Sequence, residues 1–275
     1  MKNLIIYIIA VILITPACSS DHQSELPASI DQVTEDYIED IRQLMDVQLT
    51  STIIIVDRSK SILNRRDREI KHLIEVAQSN LRRPGDELYI IHVYDNTANP
   101  ANGYHYAINR NFPLIEDRHR KGFRQELQKF QVSLKQDIVN VVSQALRETF
   151  DIPAESPETH LLASIDRLSD FLANSETDRQ YRLYVYSDMF EFSSFRKFEP
   201  TTPIKAKLLG QKDAAIIEEY FSLDKSCLNK LESIEVIIPV SDSLDSRIAL
   251  SSIKPYWQEV YGHFEGPKIT FAGMN

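Results

Sequence analysis

The chemistry-bearing residues with the most suggestive spacing lie in VDRSKS, which sets Asp57, Ser59 and Ser61 two residues apart behind a β-branched run, TIIIV. In a loop leaving a strand, such a set can turn one carboxylate and two hydroxyls toward a common point. Two more oxygen donors sit at element boundaries: Thr159 after a Pro-rich stretch, and Asp188 at the end of YRLYVYS. Hard oxygen ligands suit a six-coordinate Mg²⁺ or Mn²⁺, whereas Zn²⁺ prefers Cys and His. The same residues also admit a plain structural reading. Asp57 and Asp188 are suited to capping helices that follow their strands, and Thr159 is a good N-cap residue.

Positioning such a set requires strands that end together, and the sequence alternates strand and helix. Thr52 to Val56 reads as a strand buried on both faces, as in parallel sheets. Ile70, Leu73, Ile74, Ala77 and Leu81 mark a helix, which Pro84-Gly85 stops before a second strand, ELYIIHVY. Turn formers follow, and YHYAINR alternates as an antiparallel edge strand would. Apolar spacing predicts a long helix from about Glu116 to Phe150 and a shorter one after Thr159. Further strands are expected at Tyr181 to Ser187, Ser233 to Val240 and Lys268 to Phe271, with a helix around Ile253 to Phe264 and an irregular insertion from Glu199 to Gly210. The expected fold class is α/β: a doubly wound, mostly parallel sheet with helices on both faces. In such sheets ligands bind beyond the carboxyl ends of the strands, where the strand order reverses.

At these residues the chain resembles the von Willebrand factor A domain, whose metal-ion-dependent adhesion site reads DxSxS, then Thr, then Asp. The resemblance spans Ser51 to Phe271 and includes RPGDELYIIHV at the second strand and the antiparallel edge after it. It implies a Rossmann-like fold in which Asp57, Ser59, Ser61, Thr159 and Asp188 bind the metal, the hydroxyls directly and the aspartates directly or through water. It also implies a protein partner whose carboxylate completes the metal's shell, with no catalysis. Arg58 and Lys60 flank the serines, and cations beside a metal weaken its binding unless they point to solvent. Phe190, Phe192 and Phe195, in MFEFSSFRKF just after Asp188, are candidates for an apolar rim around a partner, or alternatively for core.

The beginning of the chain concerns targeting. Residues 1–17, MKNLIIYIIAVILITPA, carry Lys2, an apolar run from Leu4 to Ile14 and a small residue before Cys18. The run is short for a span needing about 20 apolar residues and suits a signal peptide. TPAC resembles a bacterial lipobox, which implies a lipid on Cys18 and a location in the cell envelope, periplasmic or at the outer membrane, with membrane contact through the anchor. Residues 18–50 then form a polar tether and a helix beginning near Ser29, and 51–275 the domain. Lipidation of Cys18 leaves Cys227 alone, a small side chain expected to be buried.

Composition narrows the function. The 275 residues carry 40 acidic and 31 basic side chains, a formal charge of -9; removing residues 1–17 takes away Lys2 and makes it -10. No basic cluster supplies phosphate neutralisation, which argues against nucleic acid as a partner. Two further functions compete with metal-dependent binding. One is a metal-free envelope-assembly scaffold of the same fold. The other is a Mg²⁺-dependent phosphohydrolase of the haloacid dehalogenase type, disfavoured because Ser59 stands where that family wants a second Asp. No G-x-S-x-G elbow occurs, and His72, His92, His105 and His160 lie in contexts suited to structural roles.

Overall fold

The computed structural model describes residues 48–58, 66–83, 85–93, 103–107, 122–151, 158–238 and 244–273. The signal segment, Cys18 and the predicted Ser29 helix lie outside the described residues, as do Ser59, Lys60 and Ser61.

Six strands form one sheet in the order β3-β2-β1-β4-β5-β6. The central strand β1, Leu49–Asp57, runs parallel to β2, Glu87–Val93, on one side and to β4, Arg179–Tyr186, on the other. Beyond β4 come β5, Leu231–Ile238, and β6, Ile269–Gly273, both parallel. Strand β3, Gly103–Ala107, closes the opposite edge antiparallel to β2, as the alternation in YHYAINR predicts. Strand order therefore reverses at β1, whose neighbours β2 and β4 lie on either side of it.

The alternation of β1 builds two cores. Ile53 and Ile55 face one cluster with α3, Ala163–Ala173, and α5, Leu244–His263. Ile54 and Val56 face the other with α1, Arg66–Asn80, and α2, Phe123–Asp151. All four β1 side chains are fully buried, which explains why this strand reads as a continuous apolar run. Among the described residues no helix is long and apolar enough to cross a membrane.

Element boundaries moved where local chemistry intervenes. β1 starts at Leu49, inside the segment assigned to the tether, because the buried Asp86 carboxylate accepts the Thr50 N–H at 3.0 Å and those of Arg82 and Arg83 at 2.9 and 3.0 Å. The Asp of RPGDELY thus anchors the loop before β2 to the start of β1. Helix α2 begins only at Phe123, preceded by Gly122 at φ 96. That left-handed conformation favours glycine.

The largest departure is α4, Pro203–Phe221, a 19-residue helix. Its first two turns occupy Pro203 to Gly210, where an irregular insertion was expected. Thr202 caps it by accepting the Lys205 N–H at 3.4 Å, and Pro203 takes the first turn, where a missing N–H costs nothing. The helix packs mainly on α5, not on the sheet. Gly210 permits the approach: a Cβ built there would overlap the Tyr256 carbonyl oxygen. Gly210→Ala is therefore expected to destabilise by about 1–3 kcal/mol, the usual cost of overpacking, despite the higher helix propensity of alanine. Urea unfolding of the two proteins checks this, and an equal or higher midpoint for the variant contradicts the close packing of the helices.

Candidate functional site

Asp57 is the last residue of β1 and is fully buried. By strand alternation it points to the α3/α5 side with Ile53 and Ile55. The register Val56↔Tyr186 puts Ser187 beside it on the adjacent strand, and the Ser187 hydroxyl donates to Asp57 Oδ2 at 2.7 Å. The same hydroxyl accepts the Met189 N–H at 2.8 Å. Asp188 lies between these two residues, partly exposed, and its Oδ1 accepts the Phe190 N–H at 3.1 Å.

Met189 adopts φ 64, a left-handed conformation that is unfavourable for a non-glycine residue by roughly 1–2 kcal/mol. Two interactions hold it there. Its side chain is fully buried, and its carbonyl accepts the Trp257 indole N–H at 2.9 Å. The turn that carries Asp188 is thereby fixed to the buried face of α5.

Thr159 is buried and joins the same loop. Its N–H donates to the Phe192 carbonyl at 2.8 Å, and the Phe192 N–H donates back at 3.0 Å. Thr159 is therefore not the cap of α3: that position belongs to Leu162, which has no side-chain cap. The structure brings Asp57, Thr159 and Asp188 to the carboxyl end of the two central strands. Ser59 and Ser61 follow Asp57 closely but lie outside the described residues.

A residue that the sequence reading passed over ties these pieces together. Glu191 is fully buried, and its carboxylate accepts the Leu162 N–H at 2.9 Å and a short hydrogen bond from the Ser193 hydroxyl. It supplies from a distant loop the cap that α3 lacks locally, at a helix end that favours negative charge. Burial pushes its carboxyl up to about 8, and the negative charge of Asp57 adds to the rise. The hydrogen bonds from Ser193 and from the N–H groups of Leu162 and Leu161 oppose that rise without cancelling it. A glutamate flanked by phenylalanines in MFEFSSF was the available signal.

This carboxyl makes stability depend on pH. An unfolded glutamate releases its proton near pH 4.3, so between there and about 8 the folded chain holds more protons than the unfolded one. Stability should then fall as pH rises through that window, by at most about 1.4 kcal/mol per pH unit from this group. Glu191→Gln should remove the fall, so that in chelator-containing buffer the variant gains on the parent chain between pH 5 and pH 8. Parallel unfolding midpoints across that range would show that Glu191 is not protonated there.

The flanking cation behaves differently from either simple expectation. Arg58 is buried, not turned to solvent. Its N–H continues the ladder to the Val93 carbonyl at 3.1 Å, so alternation assigns its side chain to the α1/α2 side, away from Asp57. Its positive charge, after burial itself, lowers the pKa of His92 to about 4. The other histidines have structural partners: His160 lies 2.8 Å from Glu158, His72 pairs with Glu75, and His105 stacks on Tyr89 at 4.2 Å. Cys227 is partly buried, and desolvation raises its thiol to about 11, far from a reactive thiolate.

The apolar rim needs correction. Phe190 packs edge-on against the buried Phe198 at 6.1 Å, and Phe195 against Tyr220 at 5.0 Å, so both turn inward against the core. Phe192 is exposed, with Lys197 Nζ 5.0 Å from its ring centre.

The donor chemistry fits a hard divalent cation. Among the described residues no group of three or more His, Cys, Asp or Glu could hold a metal, but the expected set has only two carboxylates, the rest being hydroxyls. Two acidic side chains, Asp57 and Glu191, are fully buried within electrostatic reach of each other. A cation beside Asp57 would offset that repulsion. A separate cleft of about 440 Å³, lined in part by Glu87, Tyr89, Phe171 and Arg179, opens at the other end of the strands.

The strand order, the parallel centre and the antiparallel edge strand are those of a doubly wound, Rossmann-like α/β domain, the fold that the resemblance to the von Willebrand factor A domain implies. No protein-family model and no curated protein matches the sequence. Among solved structures, the chain is similar to the pilus adhesin SpaC from Lactobacillus rhamnosus GG, at 12% identity and a TM-score of 0.43 over 82% of this chain and 28% of that one. It is similar to the manganese-loaded TRAP protein of Plasmodium vivax, at 12% and 0.38 over 82% and 69%. It is also similar to a von Willebrand factor type A protein from Catenulispora acidiphila, at 8% and 0.39 over 83% and 39%. The chain thus spans well under half of the SpaC and Catenulispora chains. At such low values these likenesses leave activity and partner open, and the class rests on the sheet.

Proposed function

We propose that this chain is an exported, lipid-anchored protein-binding module of the von Willebrand factor A type. Asp57, Ser59, Ser61, Thr159 and Asp188 would hold Mg²⁺ or Mn²⁺, and Cys18 would carry the lipid in the cell envelope. The observation that carries this reading is the buried Asp57 at the end of the central strand, hydrogen-bonded to Ser187, with Thr159 stitched to the loop that begins at Asp188. When bound, the cation supplies an open position that attracts a carboxylate from a partner and offsets the cost of desolvating it.

The chain's own residues do the positioning. Ser187 orients Asp57, Trp257 holds the turn after Asp188, and Glu191 binds the start of α3, which keeps the Thr159 segment against that turn. The exposed Phe192, beside this cluster, offers an apolar contact to the same partner. No step in this function breaks or makes a covalent bond.

The test is recovery of partners from envelope extract on the immobilised chain, with Mg²⁺ and with chelator. Loss of a partner on chelation, restored by Mn²⁺, is expected. Partners retained equally in both conditions would favour the metal-free scaffold.

A further inference from the structure

Helix α4 is an outer layer. Its inner face, with Ala206, Gly210, Asp213, Ala214 and Ile217, is buried, and the helix packs mainly on α5. Its outer face is apolar to a degree unusual for a solvated helix. Ile204 is 76% exposed, Leu208 61%, Ile216 39% and Tyr220 69%. With Lys212 these residues recur every fourth position, 204, 208, 212, 216 and 220, and each step turns about 40° around the helix, so Leu208, Lys212 and Ile216 share one face while Ile204 and Tyr220 flank it about 80° to either side.

The contact face is symmetric about Lys212. Reversal of the helix about that residue places Leu208 opposite Ile216, with Ile204 and Tyr220 at the margins. The same operation places Lys205 opposite Glu219, and both are exposed. Lys205, Lys212 and Glu219 are seven residues apart and share one line of the outer face. The exposed cations, Lys205, Lys207 and Lys212, occupy its first half, and Glu219 the last turn. An antiparallel partner with the same sequence therefore meets apolar with apolar and, at two equivalent places, lysine with glutamate. Only Lys212 meets its own copy, across the symmetry axis, where its long side chain can turn outward.

We infer that the outer face of α4 binds a second copy of this chain in an antiparallel, two-fold symmetric pair. A two-fold interface uses the same patch on both copies and must be self-complementary, as this one is in both apolar and charged positions. One helix per copy makes a small interface, so the association should be weak, micromolar rather than nanomolar. The inference is independent of the metal site, which lies at the carboxyl end of the strands.

The experiment is sedimentation equilibrium of the full chain in density-matched detergent over a range of protein concentrations, with five variants. The parent should show a monomer–dimer equilibrium. Leu208→Glu should weaken it more than tenfold. Lys205→Glu and Glu219→Lys should each weaken it roughly tenfold, because each sets like charges opposite one another at both symmetric places. The double variant Lys205→Glu/Glu219→Lys should restore the parent's affinity, which no non-specific apolar association would do. Lys212→Leu should tighten the dimer. A parent that stays monomeric at every concentration, or a double variant weaker than either single one, overturns the inference. Hydrogen-exchange protection of α4 that appears only with envelope extract would assign this face to a different protein instead.

Discussion

Asp213→Ala should lower the stability of the domain by about 3 kcal/mol, the low end of the cost of breaking a buried ion pair. Asp213 lies on α4 and is 1% exposed. Arg196 reaches it with two hydrogen bonds, 2.7 and 2.6 Å, and the Tyr256 hydroxyl donates a third at 2.8 Å. Three segments meet there: the loop after β4, helix α4 and helix α5. Removal of the carboxylate leaves a guanidinium and a buried hydroxyl without their acceptor. Arg196 keeps 23% of its side chain in water, which limits the penalty to the lower part of the range. The hydrogen bonds it donates to Asp213 hold the guanidinium even more firmly protonated than usual, so the arginine cannot escape by losing its charge.

Urea unfolding measures this directly. With a slope of about 2–3 kcal/mol per molar for a domain of this size, the midpoint should fall by roughly 1 M. Tyr256→Phe, which deletes one hydrogen bond and keeps the ring, should cost only about 1 kcal/mol. Arg196→Met combined with Asp213→Leu and Tyr256→Phe should recover most of the loss, since apolar groups of similar volume then replace both charges and the hydroxyl that bonded to them. An Asp213→Ala midpoint within a tenth of the parent's would show that this network contributes little.

The fold was legible where burial leaves a simple pattern. TIIIV announced a strand covered on both faces, and β1 is buried along that run. YHYAINR announced an edge strand by alternation, and β3 pairs antiparallel with β2. Helix α4 escaped notice because both of its sides are apolar. Its inner face uses small residues to approach α5, while Ile204, Leu208 and Tyr220 lie outside, so no single stripe stands out. The Thr202-Pro203 pair was the legible start signal.

The site divides in the same way. Asp57 and Asp188 were legible because a strand end fixes their position, and their strands are hydrogen-bonded neighbours. Glu191 was not, because its role depends on the Leu162 backbone, 29 residues away, and on proximity to Asp57. The Phe190 and Phe195 side chains turned inward because Phe198 and Phe221 offered them aromatic partners that spacing alone does not reveal.

The second large effect concerns Asp57 itself. Among the described residues it is the one expected ligand that is fully buried, at the end of the central strand and braced by Ser187. Its substitution by alanine removes a full negative charge from a site otherwise expected to be built from one more carboxylate and three hydroxyls. A loss of at least about 100-fold in cation affinity is expected, the size seen when a charged hydrogen-bonded partner is deleted from a buried site. The fold should survive, because the deletion removes the hydrogen bond from Ser187, a loss of about 1 kcal/mol.

Titration calorimetry of Mn²⁺ into the parent chain and into Asp57→Ala, with circular dichroism to verify folding, tests the central claim most directly. A saturable heat with one ion per chain in the parent, absent from the folded variant, is the predicted result. A parent chain that takes up no ion, or a variant that binds it equally well, would contradict a metal site at the ends of these strands.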